Sequence, residues 1–412
     1  MKVEIKKGAA RGCVSAPPSK SMAHRMLICA GLADGTSVLE GISDSQDMQA
    51  TLDCLAALGA RWRKDGETLT ITGIPGSASG EEAEPLLRCR ESGSTLRFLI
   101  PVCLRTGRRM KLCGAPRLME RPLGVYEQLC RERGLTFKQE AQTLTVQGPL
   151  AAGTFRIPGN ISSQFVSGLL LALPMCEGDS TLEILPPIES RPYIDMTVAA
   201  LRKFGVTAEW KDAETLRIPG GQRCRPCRAQ VEGDFSNAAF FAALAELRPE
   251  NRVTVENLPP QEESLQADRV YPELLKQLDE PEPCIDLTDC PDLGPILFAA
   301  AAAKHGGRFT GTGRLKIKES DRGQAMAREL RKFGVRVTVE ENQIIVAPPA
   351  CGISAPAEIL SGHNDHRIVM SEAVLLTLTG GIIDGAEAVT KSFPDFFDKL
   401  KALGIEVENI EN

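Results

Sequence analysis

Aromatic residues make up only 5% of this 412-residue sequence, and histidine occurs four times. A core short of rings has to be built from small aliphatic side chains, and so few histidines leave little for a metal-dependent site. No run of 18 apolar residues occurs, so no segment reads as a membrane span. The net charge is −6, which lacks the basic excess of a nucleic-acid binder while leaving room for a local basic pocket. Residues 1–12 are charged and carry none of the apolar stretch of a secretory signal. The 13 cysteines are odd in number and follow no disulfide rhythm, so reduced thiols in a cytoplasmic setting are expected. The single CxxC, Cys224 to Cys227, has no second pair and no nearby histidine to complete four ligands. It reads as a surface loop, with no metal and no cofactor expected.

What the sequence does contain is length and repetition. Single cores stop growing at roughly 250–300 residues, so two domains are expected. One unit recurs: a helix ending at glycine, a strand, a turn and a second strand. Copies run from Gln46 to Gly73, Arg121 to Gly148, Arg191 to Gly220 and Asp321 to Pro349, and a last one begins at Ser392. The marker glycines are Gly59, Gly134, Gly205, Gly334 and Gly404, spaced by 75, 71, 129 and 70 residues. The double-length gap holds one shortened copy near Arg269 to Leu287, with abbreviation around Glu280 to Cys290. Each helix has apolar residues at helical spacing, as in Ile194, Val198 and Leu201, and the glycine suits a left-handed stop.

Between these units lie six segments rich in small apolar residues, each opening on polar ones: Ser19-Lys20-Ser21, Ser92-Gly93-Ser94, Ser162-Ser163-Gln164, Asp234 to Asn237, Pro291-Asp292 and Asn364-Asp365-His366. A helix apolar nearly all round is a buried one. The expected repeat is therefore β-α-β-α-β-β with one covering and one interior helix, three repeats to a domain. Interior helices that aim their N-termini into one cleft would make it an anion site before any side chain is counted.

The side chains at those starts carry two readings each. Lys20 in a first turn opposes the helix dipole unless an anion sits there, and Arg25 follows one turn later. Gly93 permits close backbone approach, though glycine-rich caps are common. Arg117 and Arg121 are either a surface pair beside Glu120 or anion-binding forks. Ser162 and Ser163 offer one capping hydroxyl and one to spare, with Gln164 beside them. Asp292 reads as an N-cap or as a general base. Leu315 to Arg322 packs five charged side chains around Leu315 and Ile317, which suggests partial burial. Lys20, Arg25, Arg97, Arg121, Lys318, Arg322, Arg367 and Lys391 together would repel one another in an empty pocket, so the set implies a multiply charged anionic ligand.

PSKSMAHR, SGSTLR, APRLMERP, SSQF, SRPYID, IKESDR, NDHR and KSFPDFF, in this order from Pro18 to Phe397, resemble the motifs of EPSP synthases. The resemblance implies an enolpyruvate transferase-like α/β (α+β) fold of two inside-out domains with three β-α-β-α-β-β repeats each. One domain is discontinuous, 1–14 plus 232–412; the other is inserted, 15–231; the active site is expected in the cleft between them. It implies that Lys20, Gly93, Arg121, Gln164, Arg322, Arg367 and Lys391 hold phosphoenolpyruvate. Lys20, Ser21, Arg25, Ser162, Ser163, Gln164, Ser190, Tyr193, Asp292 and Lys318 are implied to hold 3-phosphoshikimate, with Tyr193 against its ring. Asp292 resembles the base for the 5-hydroxyl, and Glu319, with Lys20, the group that protonates the methylene carbon. No cofactor, nucleic acid or membrane is implied, and a cytoplasmic monomer is expected.

The nearest rival family is UDP-N-acetylglucosamine 1-carboxyvinyltransferase, which uses a cysteine in a loop; Cys113 lies in roughly that region, but the first motif reads Lys-Ser where the rival has Lys-Asn. A binding-only descendant of the fold is a further alternative, disfavoured by Asp292 and Glu319 among the cations. Glu91 stands where many EPSP synthases have Asn, and Arg314 where some have an Asn. The resemblance predicts inhibition by phosphoenolpyruvate-like inhibitors such as glyphosate. Full activity at glyphosate concentrations far above the phosphoenolpyruvate KM would refute it.

Overall fold

The five marker glycines all sit in the left-handed region, with φ of 108° at Gly59, 66° at Gly134, 74° at Gly205, 84° at Gly334 and 90° at Gly404. A side chain there would crowd its own carbonyl, so glycine is the residue that turns the chain off the covering helix. In the computed structural model, which describes residues 1–74 and 84–410, each covering helix then leads into a strand.

The second repeat shows the plan. Strand Leu86–Arg88 lies parallel to Met110–Cys113, joined to it through the interior helix Gly93–Arg105. The covering helix Gly124–Glu132 leads to the hairpin Thr136–Gln139 and Thr143–Gln147, whose second strand pairs antiparallel with Met110–Cys113. First, second, fourth and third strands thus lie side by side, an order kept in five four-stranded sheets among the described residues. Leu69 and Ile71, and Leu144 and Val146, point their fully buried side chains inward, as strand alternation requires.

The chain divides into two compact units: Met1–Pro17 with Gly233–Asn412, and Pro18–Glu232. Each has its own apolar core. Two repeats are completed by strands from far along the chain. Arg228–Gln230 is the outer strand beside Thr36–Glu40 in the first repeat. Lys2–Ile5 lies between Gly381–Asp384 and Val407–Ile410 in the last. The shortened fourth repeat is where a hairpin is missing. Its sheet is only Arg11–Ser15 beside Arg252–Glu256, and its covering helix Tyr271–Gln277 runs on to Cys284–Asp286, a strand of the next repeat.

The interior helices are Lys20–Gly31, Gly93–Arg105, Ser163–Ala172, Phe235–Glu246, Gly294–Ala303 and His366–Thr379. In Gly294–Ala303 every residue through Ala302 is buried. Side-chain caps close five of the six: Ser19, Ser92, Ser162, Asp234 and Asp365 each accept a hydrogen bond from a backbone N–H of the first turn. No helix among the described residues is long and apolar enough to cross a membrane. The CxxC departs from expectation: Cys224 is fully buried and only Cys227 is partly exposed, because a free thiol packs as a small hydrophobe.

Ile5, fully buried in the N-terminal strand, should behave as a core residue despite its place in the sequence. Ile5→Ala is expected to cost about 3 kcal/mol, read as a lowered urea midpoint; an unchanged midpoint would contradict the pairing.

Candidate active site

In the unit that contains both termini, the charged side chains meet around Arg322. This residue opens the covering helix Arg322–Lys332 and is 1% exposed. Its guanidinium donates to three carboxylates: Nε to Asp365 Oδ2 (2.9 Å), Nη1 to Asp292 Oδ1 (2.7 Å) and Nη2 to Glu319 Oε2 (2.7 Å). Asp292 also takes Lys318 Nζ at 3.1 Å and Arg367 Nη2 at 3.3 Å, and Arg367 Nη1 reaches its carbonyl at 3.0 Å. Lys391 Nζ donates to Asn364 O at 2.6 Å. The structure therefore brings together Asp292, Lys318, Glu319, Arg322 and Arg367, with Asp365 as a further member. Leu315 is buried and Lys318 to Ser320 are half-buried, as the apolar residues of that segment suggested.

Two of the sequence readings change here. Asp292 is no N-cap: it sits in a single 3-10 turn, Pro291–Leu293, and makes no capping bond. Lys318, Arg322 and Arg367 do not repel one another unrelieved either, because carboxylates alternate with them. Sequence counting found the cations; the acids between them lie on three separate segments.

The electrostatics follow from burial and pairing. Burial alone would raise the Asp292 carboxyl, but Arg367, Lys318 and Arg322 hold it well below the usual carboxylate range. Burial lowers the Lys318 ammonium, and Asp292 only partly offsets this. Asp268, buried nearby and hydrogen-bonded to Ser236, is pushed up to about 8 by burial and by the charge of Asp292. One fully ionised carboxylate and one that titrates near neutrality thus share a neighbourhood.

In the unit Pro18–Glu232, Lys20 Nζ meets Asp47 Oδ2 at 3.0 Å in the first turn of its interior helix. Arg25 is 2% exposed and braced by neutral acceptors: Thr197 Oγ1 (2.7 Å), Ser21 O (2.6 Å), Ser167 Oγ (3.3 Å) and Tyr193 O (2.9 Å). Burial brings its pKa down to about 10. Gln164 bridges two of the other helix starts, accepting from Arg97 Nη1 at 2.8 Å and donating to Ser94 Oγ at 2.9 Å. Ser162 spends its hydroxyl on the cap, while Ser163 is buried beside it. Gly93 faces the Arg121 guanidinium so closely that a Cβ would come within 2.5 Å of Nη1. Ser190 is buried at φ 57° before the helix that carries Tyr193. Arg117 is exposed beside Glu120, so its surface reading holds.

The family model for EPSP synthase (3-phosphoshikimate 1-carboxyvinyltransferase) matches residues 5–400. The chain belongs to the EPSP synthase family. A 3-phosphoshikimate 1-carboxyvinyltransferase of Clostridium kluyveri is 37% identical over 432 aligned positions, covering 98% of both chains. That of Clostridium acetobutylicum is also 37% identical, with 98% of each covered. The solved EPSP synthase of Acinetobacter baumannii superposes with a TM-score of 0.78 at 26% identity, over 99% of this chain and 100% of that one.

Within this EPSP synthase family member, sequence reasoning missed Asp47, Asp268, Thr197 and Ser167. Asp47 stands in the first turn of Gln46–Ala57, where an acid already has a reason to be. The two hydroxyls are interior positions of helices with no local mark. Of the two departures, Arg314 donates to the carbonyl of Thr288, and Glu91 is half-buried just ahead of the Ser92 cap.

A depressed carboxyl stabilises the fold above its unfolded pKa, near 4 for Asp, and loses that contribution as pH falls through the lower folded value. Asp292→Asn should therefore lower stability by about 3 kcal/mol at pH 7. The gap to the unmodified chain should begin to narrow below about pH 4 and be smaller at pH 3. Urea unfolding at pH 7 and pH 3 checks this; a gap equally wide at both would contradict it.

Proposed function

We propose that the chain transfers the carboxyvinyl group of phosphoenolpyruvate to the 5-hydroxyl of 3-phosphoshikimate and releases phosphate. Family membership over nearly the whole length supports this, and the observation that carries it is Asp292 and Glu319 held among Lys318, Arg322 and Arg367. The reaction needs an acid, a base and fixed positive charge, which is this set.

Asp292 takes the proton of the 5-hydroxyl as its oxygen adds to C2 of phosphoenolpyruvate. C3 gains a proton from Glu319, with Lys20 contributing. A tetrahedral intermediate forms, then loses a proton from C3 and expels phosphate. Three cations make Asp292 a weak base in the ligand-free chain. Two anionic substrates set against those cations would weaken their field and raise its basicity. Phosphoenolpyruvate is held by Lys20, Gly93, Arg121, Gln164, Arg322, Arg367 and Lys391. Arg322 does so with most of its donors already on carboxylates, so its share is charge more than new hydrogen bonds. 3-Phosphoshikimate is held by Lys20, Ser21, Arg25, Ser162, Ser163, Gln164, Ser190, Tyr193, Asp292 and Lys318. Buried Arg25, braced by neutral oxygens, is suited to a phosphate dianion. The odd, unpatterned cysteines fit a cytoplasmic setting, and a monomer is proposed.

The amino-sugar rival is weakened by Cys113. It closes strand Met110–Cys113, paired with Arg88 and Thr143, and burial pushes its thiol up. A strand-bound thiol with a raised pKa is poorly suited to proton transfer from a loop.

The test is phosphate release from phosphoenolpyruvate and 3-phosphoshikimate, each omitted in turn. Release should require both, and Asp292→Ala and Glu319→Gln should each lower kcat by about 100-fold or more. Release with UDP-N-acetylglucosamine in place of 3-phosphoshikimate would favour the rival. Unchanged turnover in Asp292→Ala would remove it as the base.

A further inference from the structure

Glu329 is the eighth residue of the eleven-residue helix that Arg322 opens, two turns along it, and it is 2% exposed. Buried carboxylates are kept only where they are paired. Two of its partners lie in the segment 361–363, which runs from a strand end into a loop. Oε2 accepts from the backbone N–H of Ser361 at 3.0 Å, and Oε1 meets His363 Nε2 at 2.8 Å. Lys332 Nζ completes the set at 2.8 Å and itself holds Ile359 O at 2.9 Å.

That loop has an unusual shape. His363 and Asn364 are both left-handed, with φ of 47° and 52°. Consecutive non-glycine residues in this region persist only where their surroundings over-determine them. Gly362 is pressed close as well: a Cβ there would meet Val369 Cγ2 at 2.5 Å. The output of the loop is the position of three cations. Asn364 O receives Lys391, while Asp365 receives Arg322 Nε and caps the helix at the N–H of Arg367.

We propose that Glu329 is a positioning residue for the phosphoenolpyruvate side of the reaction, acting through the loop Ser361 to Asp365 on Arg322, Arg367 and Lys391. Its carboxylate grips residues 361 and 363 from outside and so holds the left-handed pair between helix and cations. The substrate part of this rests on the function proposed above; the loop part does not.

Two measurements on Glu329→Gln, which keeps the shape and removes the charge, test both parts. Kinetically, KM for phosphoenolpyruvate should rise roughly tenfold while KM for 3-phosphoshikimate changes less than about threefold. His363→Ala should act in the same direction, and His363→Gln, which keeps an N–H donor, should recover much of the loss. In the unliganded chain, amide hydrogen exchange at Ser361 to Asp365 should quicken by roughly tenfold with little change in the apolar core. Unchanged exchange in this segment would overturn the loop role whether or not the chain turns over these substrates. Faster exchange with equal rises in both KM values would overturn the substrate assignment. A wild-type chain without activity would instead refute the proposed function, and the exchange result would still decide the loop.

Discussion

A helix covered on every side meets its surroundings only at its ends, and six such helices fix where polar chemistry can be in this protein. Along Gly294–Ala303 or Ser163–Ala172 there is no wet face on which to put a charge. The unpaired N–H groups of a first turn need acceptors, and five of the six starts receive a capping side chain. Lys20, Gly93, Gln164 and Arg367 stand in those same turns. The polar residues of the candidate site are therefore where the fold has to tolerate polarity at all. Arg25 is the instructive exception. One turn further in, it is buried, and four neutral oxygens from three segments are spent to keep it there.

Around Arg322 the problem is different, because the charge there is dense and of both signs. A guanidinium at 1% exposure costs a great deal unless most of its donors are used. Asp292, Glu319 and Asp365 use them, and each carboxylate comes from a different segment. The geometry of one side chain thus ties the 3-10 turn at Asp292, the loop before Arg322 and the start of His366–Thr379 to one another. The same pairing depresses Asp292, which makes it a base whose strength depends on what is set against its cations. An anion set against those cations would raise the basicity of Asp292 without any motion being invoked.

Much of this was legible in the sequence, for reasons that differ by feature. The repeats announced themselves because a left-handed stop admits few residues other than glycine, so five independent copies carry the same mark. The interior helices could be read because an all-apolar segment with a polar opening has few other uses. The acids that pair with the cations were harder to read. Asp47 and Glu329 lie on covering helices, where acids are ordinary, and Asp365 looks like any N-cap. Lys20, His363 and Arg322, which they meet, lie 27, 34 and 43 residues away. Pairing at that range is set by how repeats stack, which no local pattern records.

The strand exchanges lie beyond local reading for the same reason, and they explain the arrangement of the chain. The sequence of the last repeat runs out after one strand, and Lys2–Ile5 supplies its neighbour. The first repeat of the other unit opens on its interior helix, and Arg228–Gln230 supplies the missing parallel strand. A strand without its partner leaves a row of N–H and C=O groups to be satisfied. Each unit is thus closed by a strand that lies far along the chain from the repeat it completes. At the two points where the chain passes from one unit to the other, after Pro17 and after Glu232, the backbone is tied within each unit: Asp234 N–H donates to Pro17 O, and Ser19 N–H donates to Glu232 O. An insertion is tolerated at such a point because the backbone hydrogen bonds on either side of it are already paired.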